Sequence, residues 1–538
     1  VQYFGLSLLV AAFGLGMLRL FHVGGLGGDA GAHTLRIGHY QLESGAREAL
    51  AAVIGEYEAL HPGRKVVQTA IPERVFPSWL RTQLVGGTPP DIIQLGRESG
   101  SFEDIYANYF EPIGSWLRQP NPYNAKTYDA ESPLEDVPWI NTFVDGLERG
   151  ASYSGALMEH YGVPSTLFTT RVFYNRALLE EVQGDAPMPW EFSEFVALCA
   201  RIEAFAREQN RLIVPIAGSK VNAPPLLQAL FESQTQALFL NVDPLPMLRV
   251  NFFEFHGMNA LRGRWNLESP QLHAAFSAMR EVGRHMSPGA LQLERDDSLF
   301  LFSQGRAAFL VTGSQDARSL AEQCAFPLGV FAIPYPSPND EKYGRFATGD
   351  VSEGAVTTQF VLGLTRDSRK KEEAIDFLRF LTSRRMNKLF AETARWLPVV
   401  VSVEPSDELA AFSPELEGYP PGPYFLAPGP STGFLLQTNL HTLLQTSGSV
   451  EAFLDAVRPG FEPAIRADVM RIHQGNVRMT ARVDSVLGAR YWLGLRQGGE
   501  RDRRHVLVTQ IQATRELRKH RIDYELSILA AGAAEGAK

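Results

Sequence analysis

From Leu35 onward the hydrophobic positions switch repeatedly between a period of two and a period near 3.6. Leu35-Arg36-Ile37-Gly38-His39-Tyr40 alternates apolar and polar, which predicts a short strand. After Ser44-Gly45, the residues Ala46, Ala49, Leu50, Val53, Tyr57 and Leu60 share one helical face, and His61-Pro62-Gly63 stops that helix. Lys65–Ile71 reads as a second strand, Trp79, Leu80, Leu84 and Val85 as a second helix, and Asp91–Leu95 as a third strand. Strand, helix, strand, helix, strand predicts a parallel sheet, in which ligands sit at the carboxyl ends of the strands. That rule singles out the loops that open at Tyr40 and at Gly96.

The pattern resumes beyond Tyr161. Val172–Asn175 and Ile213–Gly218 read as strands, Phe192–Phe205 and Leu226–Phe239 as helices; Gly313 begins a turn before a helix at Asp316–Cys324, and Leu328–Pro334 is a further strand. Phe360–Leu364 is again a strand, followed by a helix with Ala374, Phe377, Leu378 and Leu381 on its buried face. Residues 413–432 hold prolines 414, 420, 421, 423, 428 and 430, which forbid a regular helix there and suggest an extended segment. Val450–Leu495 and Arg501–Leu529 are helical patterns, the second rich in arginine. In that last stretch Val506, Ile511, Leu517 and Leu526 suit a hairpin against the preceding helix.

Before this begins, Tyr3–Leu18 carries no charge and shows no polar face, with Arg19 at its end. It is expected to be an export signal or an uncleaved signal anchor, with Gly24–Ala32 as spacer and the folded protein starting near His33. No cysteine follows it, so a lipoprotein anchor is not expected. A chain of 538 residues suggests two large domains rather than one core. A net charge of -9 argues against nucleic-acid binding. Cys199 and Cys324 are the two cysteines, too few for a disulfide framework or a cysteine-based zinc cluster, and are read as buried thiols.

Several stretches resemble the extracellular solute-binding proteins of carbohydrate ABC transporters. The first is LRIGHYQLESGAREALAAVIGEYEALHPGRKVV followed by LRTQLVGGTPPDIIQLG and YFEPIGSWL. The second joins Tyr161-Gly162-Val163-Pro164 to Val172-Phe173-Tyr174-Asn175-Arg176, and the third is FLFSQGRAAF with Leu310–Gln315, where Gln315 stands in place of the usual aromatic. VLGLTRDSRKKEEAIDFLRFLTS and ARWLPVV complete the set in the family's order. The resemblance implies an α/β two-lobed periplasmic-binding-protein fold (type II-like) with hinge crossovers. Residues 33–163 and 328–412 are then the first lobe and 164–327 the second; 413–432 is a proline-rich segment and 433–538 a C-terminal helical extension.

The function so implied is capture of a carbohydrate or polyol by lobe closure and delivery to the permease subunits of an importer, outside the cytoplasmic membrane. Tyr40, Glu43, Arg97, Glu98, Tyr174, Trp265, Ser314 and Trp396 are the candidate ligand contacts, Tyr174 foremost, and Gly162, Val163, Pro164 and Ser165 the candidate hinge. For Trp265 stacking on a sugar and packing in a core stay equally open. No cofactor, metal site or catalytic residue is expected. The chain lacks a G-x-S-x-G elbow, an H-E-x-x-H pair and a phosphate-binding loop. Two alternatives carry their own signals. Glu43, Asp91, Glu98 and Asp350 would serve a glycosidase if two of them faced each other, and the anchor with the basic tail would suit a membrane-bound sensor.

Overall fold

The computed structural model describes residues 34–531 apart from 44, 97–101, 148–149, 155–156, 158, 190, 243–252, 354–356, 419–428, 497–511, 514–515 and 518. The apolar N-terminal run, its spacer, Val506 and Ile511 lie outside the described residues. No helix among the described residues is long and apolar enough to cross a membrane. The chain divides into two units, residues 1–167 with 357–406, and 168–356 with 407–538.

The first unit is built on a five-stranded sheet in the order Lys65–Ala70, Thr34–His39, Ile92–Gln94, Leu362–Leu364, Gly162–Val163. The first three strands run parallel, as the sequence pattern requires; Leu362–Leu364 lies antiparallel to Ile92–Gln94 and to Gly162–Val163. The helix Ala46–Leu60 begins at Gly45, whose φ of 93° is left-handed and whose N–H donates to Glu48 Oε2 at 2.9 Å. It buries Ala49, Leu50, Val53 and Tyr57. Past its end, Asp376 Oδ2 accepts from the Tyr57 hydroxyl (2.8 Å) and from Arg64 (2.7 Å), and Oδ1 accepts from the Tyr123 hydroxyl (2.9 Å). This fastens the His-Pro-Gly turn to the helix Lys371–Leu381.

The second unit has a four-stranded sheet in the order Leu328–Phe331, Thr170–Asn175, Ala307–Gly313, Val214–Ala217. Thr170–Asn175 is antiparallel to both of its neighbours, while Ala307–Gly313 is parallel to Val214–Ala217. Two sequence expectations change here. Leu328–Phe331 does not return to the first sheet: it pairs with Thr170–Asn175, and the chain goes back only at Thr357. An apolar strand of four residues carries no mark of the sheet it will join, so its place was not readable.

The C-terminal extension also differs from the expected appendage. Pro430–Asn439, His441–Leu444 and the 47-residue helix Val450–Arg496 bury Leu436, Leu440, Leu443, Phe453, Leu454, Val457, Ile465 and Val469 in the same core as Phe195, Leu230 and Phe276. Of the last helical stretch, Ile522 is buried in this core and Leu526 packs against it. Pro459 and Pro463 lie inside the long helix. Asp468, fully buried, accepts from the N–H groups of Ser431 (2.9 Å) and Thr432 (2.7 Å), so one helix of the extension caps the start of another.

Inside the second unit one side chain gathers the places where the chain enters or leaves it. Arg171, with a side chain 3% exposed, forms a bidentate pair with Glu353 at 2.7 and 2.9 Å. It also donates to the carbonyls of Ala411 (3.0 Å) and Ser413 (2.5 Å). The Thr169 hydroxyl adds a bond to the Phe412 carbonyl at 2.7 Å.

Candidate ligand-binding site

At the carboxyl edge of the first unit's sheet the parallel strands end in polar groups that the fold buries. His39 and Gln94 are both 0% exposed. Gln94 Oε1 accepts from the Tyr40 N–H at 3.0 Å, and His39 Nε2 contacts Gln68 Oε1 at 3.0 Å. Burial holds the His39 pKa below the usual imidazole value, so the ring is neutral near pH 7. Its Nδ1 is buried and makes no hydrogen bond among the described residues.

The edge continues through neighbouring loops. Gly96 has a φ of 104°, which requires glycine, and a Cβ there would stand 3.8 Å from the Tyr40 hydroxyl and 3.7 Å from the Ala151 methyl. A Cβ on Gly150 would lie 3.5 Å from Thr358 Oγ1. Along this path Gln94 Nε2, Ser152 Oγ, Ser165 Oγ and Thr358 Oγ1 are buried and make no hydrogen bond among the described residues. A buried polar group left so costs about 1–3 kcal/mol. The segments that border this edge thus carry four such groups, all of them uncharged.

Phe360 closes the edge from the side with a φ of 51°, left-handed for a residue that bears a Cβ. Its ring meets His39 at 5.5 Å and Phe390 at 5.8 Å, and Phe390 meets Trp396 at 6.3 Å. Packing on both sides holds this backbone conformation, and strained positions of this kind cluster at ligand sites.

The expected contacts divide against this geometry. Tyr40 and Glu43 lie at the first unit's edge: Tyr40 is half-buried with its ring edge-on to Phe76 at 5.0 Å, and the Glu43 carboxylate accepts the Leu42 N–H at 3.0 Å. Arg97 and Glu98 lie outside the described residues. Ser314 is at the corresponding edge of the second unit, where its hydroxyl accepts the Thr169 N–H at 3.2 Å and its N–H donates to the Thr169 carbonyl at 2.8 Å. It fastens the turn after the strand Ala307–Gly313.

The three remaining aromatics require correction. Tyr174 pairs with Phe309 and Gly329, four positions along the strand from the Thr170–Gly313 pair, and so sits toward the opposite edge of its sheet. Its ring covers Gly329, where a Cβ would come within 2.0 Å of Tyr174 Cζ. Gly329→Ala is therefore expected to cost about 1–3 kcal/mol, read as a lower urea midpoint with an unchanged slope. Trp265 is core: it donates from Nε1 to the His256 carbonyl at 2.9 Å and packs on Phe239 and Phe461. Trp396, 1% exposed, stands behind Phe390 and braces the edge instead of offering a face.

The expected hinge changes likewise. Gly162 and Val163 are a strand of the first sheet, and a Cβ on Gly162 would meet Val361 at 2.8 Å and Leu95 at 2.9 Å. That glycine serves close packing. Asn387 Nδ2 holds the Ser165 carbonyl at 2.8 Å, so the four-residue segment belongs to the first unit and the division falls after Leu167.

Of the carboxylates suspected of acid–base work, Glu43 and Asp91 are the two described in the first unit, and they lie at opposite ends of its strands. Asp91 accepts the Arg36 N–H (2.9 Å) and the Ser368 hydroxyl (2.7 Å) at the start of Ile92–Gln94, the opposite end from Glu43. No group of three or more His, Cys, Asp or Glu suited to a metal occurs among the described residues. Cys199 and Cys324 are free thiols, and burial pushes the Cys324 thiol up to about 11.

Two α/β units, each with a polar edge at the carboxyl ends of its strands and joined by three crossings of the chain, define the class of two-lobed binding proteins. The family model of the bacterial extracellular solute-binding proteins matches residues 52–415, more than half of the sequence, and the chain belongs to that family. No curated protein matches it. Among solved structures it is similar to a chitin oligosaccharide binding protein at 17% identity and a TM-score of 0.52, covering 80% of this chain and 99% of that one. The bacterial solute receptor AcbH, described as preferring β-D-galactopyranose, aligns at 13% identity and a TM-score of 0.55, covering 81% and 99%. RafE in complex with raffinose aligns at 15% and 0.51, covering 80% and 100%. At these identities the likeness is one of fold.

Proposed function

We propose that this chain is the carbohydrate-binding component of an ABC importer, working outside the cytoplasmic membrane and passing its ligand to the permease subunits. The observation that carries the reading is the first unit's edge, where Gln94, Ser152, Ser165 and Thr358 hold unused and uncharged hydrogen-bonding groups. Hydroxyl-rich neutral molecules are the ligands such an array suits, because each hydroxyl both donates and accepts. Membership of the solute-binding family and the sugars named for similar folds support it. The role is capture and release, with no bond made or broken. Asp91, one of the carboxylates that could have faced Glu43 in a glycosidase, is already bonded at the far end of its strand.

The test is a melting-temperature and calorimetric panel on the full chain with D-galactose, raffinose and N,N′-diacetylchitobiose, beside amino acids and dicarboxylates. A sugar at 100 times its Kd stabilises by about 2.7 kcal/mol. Gln94→Leu is expected to weaken that sugar at least tenfold with the circular dichroism spectrum unchanged. Stabilisation by a charged solute alone, with every sugar silent, would refute the carbohydrate reading.

A further inference from the structure

The long helix Val450–Arg496 of the second unit changes character along its length. Residues 450–469 supply side chains to the core and carry four carboxyls against two arginines, whereas residues 470–496 carry five arginines against one carboxyl, Asp484. Among the described residues, Thr480 is the last of this helix to be buried. At 3.6 residues per turn, positions 471, 478, 482 and 496 fall within about 40° of one another, and all four are arginine. This is the outer face of the helix. His473 and Thr480, both buried, stand nearly opposite to it, while Arg471, Gln474, Arg478 and Ala481 are exposed. Trp492, 68% exposed, falls about 60° to one side of the row, and Asp484 roughly 135° away from it.

The carboxylates of the neighbouring elements are committed elsewhere. Arg471 lies 3.9 Å from Asp468, but the oxygens of Asp468 are already held by the N–H groups of Ser431 and Thr432. The helix Pro430–Asn439, which Asp468 caps, has no acidic residue. In the last helical stretch Glu525 lies 3.3 Å from both Arg262 and Arg264, Asp523 holds His473 at 2.8 Å, and Glu516 lies 3.8 Å from Lys519. The chain as a whole carries a net charge of -9, so this basic face is set against the sign of the molecule.

We propose that the outer face of residues 470–496 docks on the surface of an anionic phospholipid bilayer, with its arginines on the headgroup phosphates and Trp492 at the boundary of headgroup and acyl chain. The spacing carries the choice. From 471 to 496 the row runs about 38 Å, with gaps of about 10, 6 and 21 Å between successive arginines, too far apart for one small anion to take. A flat surface of repeated negative charge meets all four at once. The guanidinium fork matches phosphate oxygens, and an exposed indole, apolar in its ring and polar at its N–H, suits a membrane boundary better than water. The proposal stands whichever solute the first unit's edge takes.

The experiment is co-sedimentation of the full chain with sucrose-loaded vesicles, either of phosphatidylcholine alone or with about 30% phosphatidylglycerol. Insertion of the apolar run Tyr3–Leu18 would be common to both vesicles and to every variant, so the ratio of the two partition coefficients reads the arginines. Each arginine at an anionic surface is worth roughly fivefold in affinity. At about 0.1 M salt the wild-type chain is expected to favour the anionic vesicles at least tenfold, and at about 0.5 M, where screening is strong, less than threefold. Arg471→Gln with Arg478→Gln, both at exposed positions, should lose most of that preference with the melting temperature unchanged. Arg458→Gln with Arg466→Gln removes the same charge from the first part of the helix and should keep it. Trp492→Ala should bind the anionic vesicles at least threefold more weakly. Equal partition of the wild-type chain into both vesicles overturns the proposal, and so does an equal loss in the two double variants. Binding of poly-L-glutamate without any preference for anionic vesicles also overturns it, and assigns the face to an acidic protein instead.

Discussion

Deleting residues 433–538 is expected to unfold the second unit and not merely to shorten the protein. Leu443, Phe453, Leu454, Val457, Ile465 and Val469 are each 1% exposed or less. At about 1.5–3 kcal/mol per buried apolar side chain, these six contribute on the order of 10 kcal/mol, as much as the whole net stability of an ordinary domain. The contacts are made with residues of the unit proper. Phe453 meets Phe276 at 5.1 Å, Phe461 meets Trp265 at 6.0 Å, and Arg458 pairs with Glu268 at 2.8 Å.

Gly283 shows how close the approach is, because a Cβ there would stand 2.6 Å from Leu444 Cδ2. The truncated chain should bind a hydrophobic dye and lose protease resistance in residues 168–356. A cooperative unfolding transition within a few degrees of the full chain's would contradict this. The expectation also removes the motive for reading the extension as a free tail that signals to a partner.

The first unit was largely legible in the sequence, and the reason is physical. Parallel strands alternating with amphipathic helices need punctuation at every change of period, and Gly45, Pro62-Gly63 and Gly86-Gly87 supply it. Those changes predict the order of elements from Thr34 to Gln94 almost without error. What failed were assignments that depend on tertiary placement. Leu328–Phe331 is a good strand in either sheet. Trp265 and Trp396 have faces that suit a sugar or a core equally, and the core took both. Tyr174 was placed by likeness of motif, which fixes its strand but not the end of the sheet at which a ligand sits.

The residue that now matters most at the edge escaped for the opposite reason. Gln94 is one amide in an apolar strand. It belongs to no motif, and only burial makes it informative. The clue available beforehand was that a polar side chain inside an otherwise apolar element has to be answered by something. Arg171 escaped in the same way, because its bonds to Glu353, Ala411 and Ser413 reach residues 182 to 242 positions away that no local pattern brings together.

Arg171→Met is expected to be the most destabilising single substitution in the second unit. The side chain is 3% exposed and its partner Glu353 26%, so the pair is screened little by solvent on the arginine side. Replacing both partners of such a pair with apolar groups is often nearly neutral, whereas removing one alone costs about 3–5 kcal/mol, since the other charge is left without its counter-ion. Here the loss is wider, because the carbonyls of Ala411 and Ser413 lose their donor too. With about 2–4 °C per kcal/mol for a domain of this size, the melting temperature should fall by roughly 10 °C. Arg171→Lys retains the charge but cannot reproduce two parallel bonds to Glu353 together with the carbonyl bonds, and should fall between the two. Adding Glu353→Gln to Arg171→Met should restore part of the loss by removing the stranded charge. If Arg171→Met melts within 2 °C of the wild-type chain, then the segments at 168–171, 351–353 and 407–413 are held by their apolar packing alone.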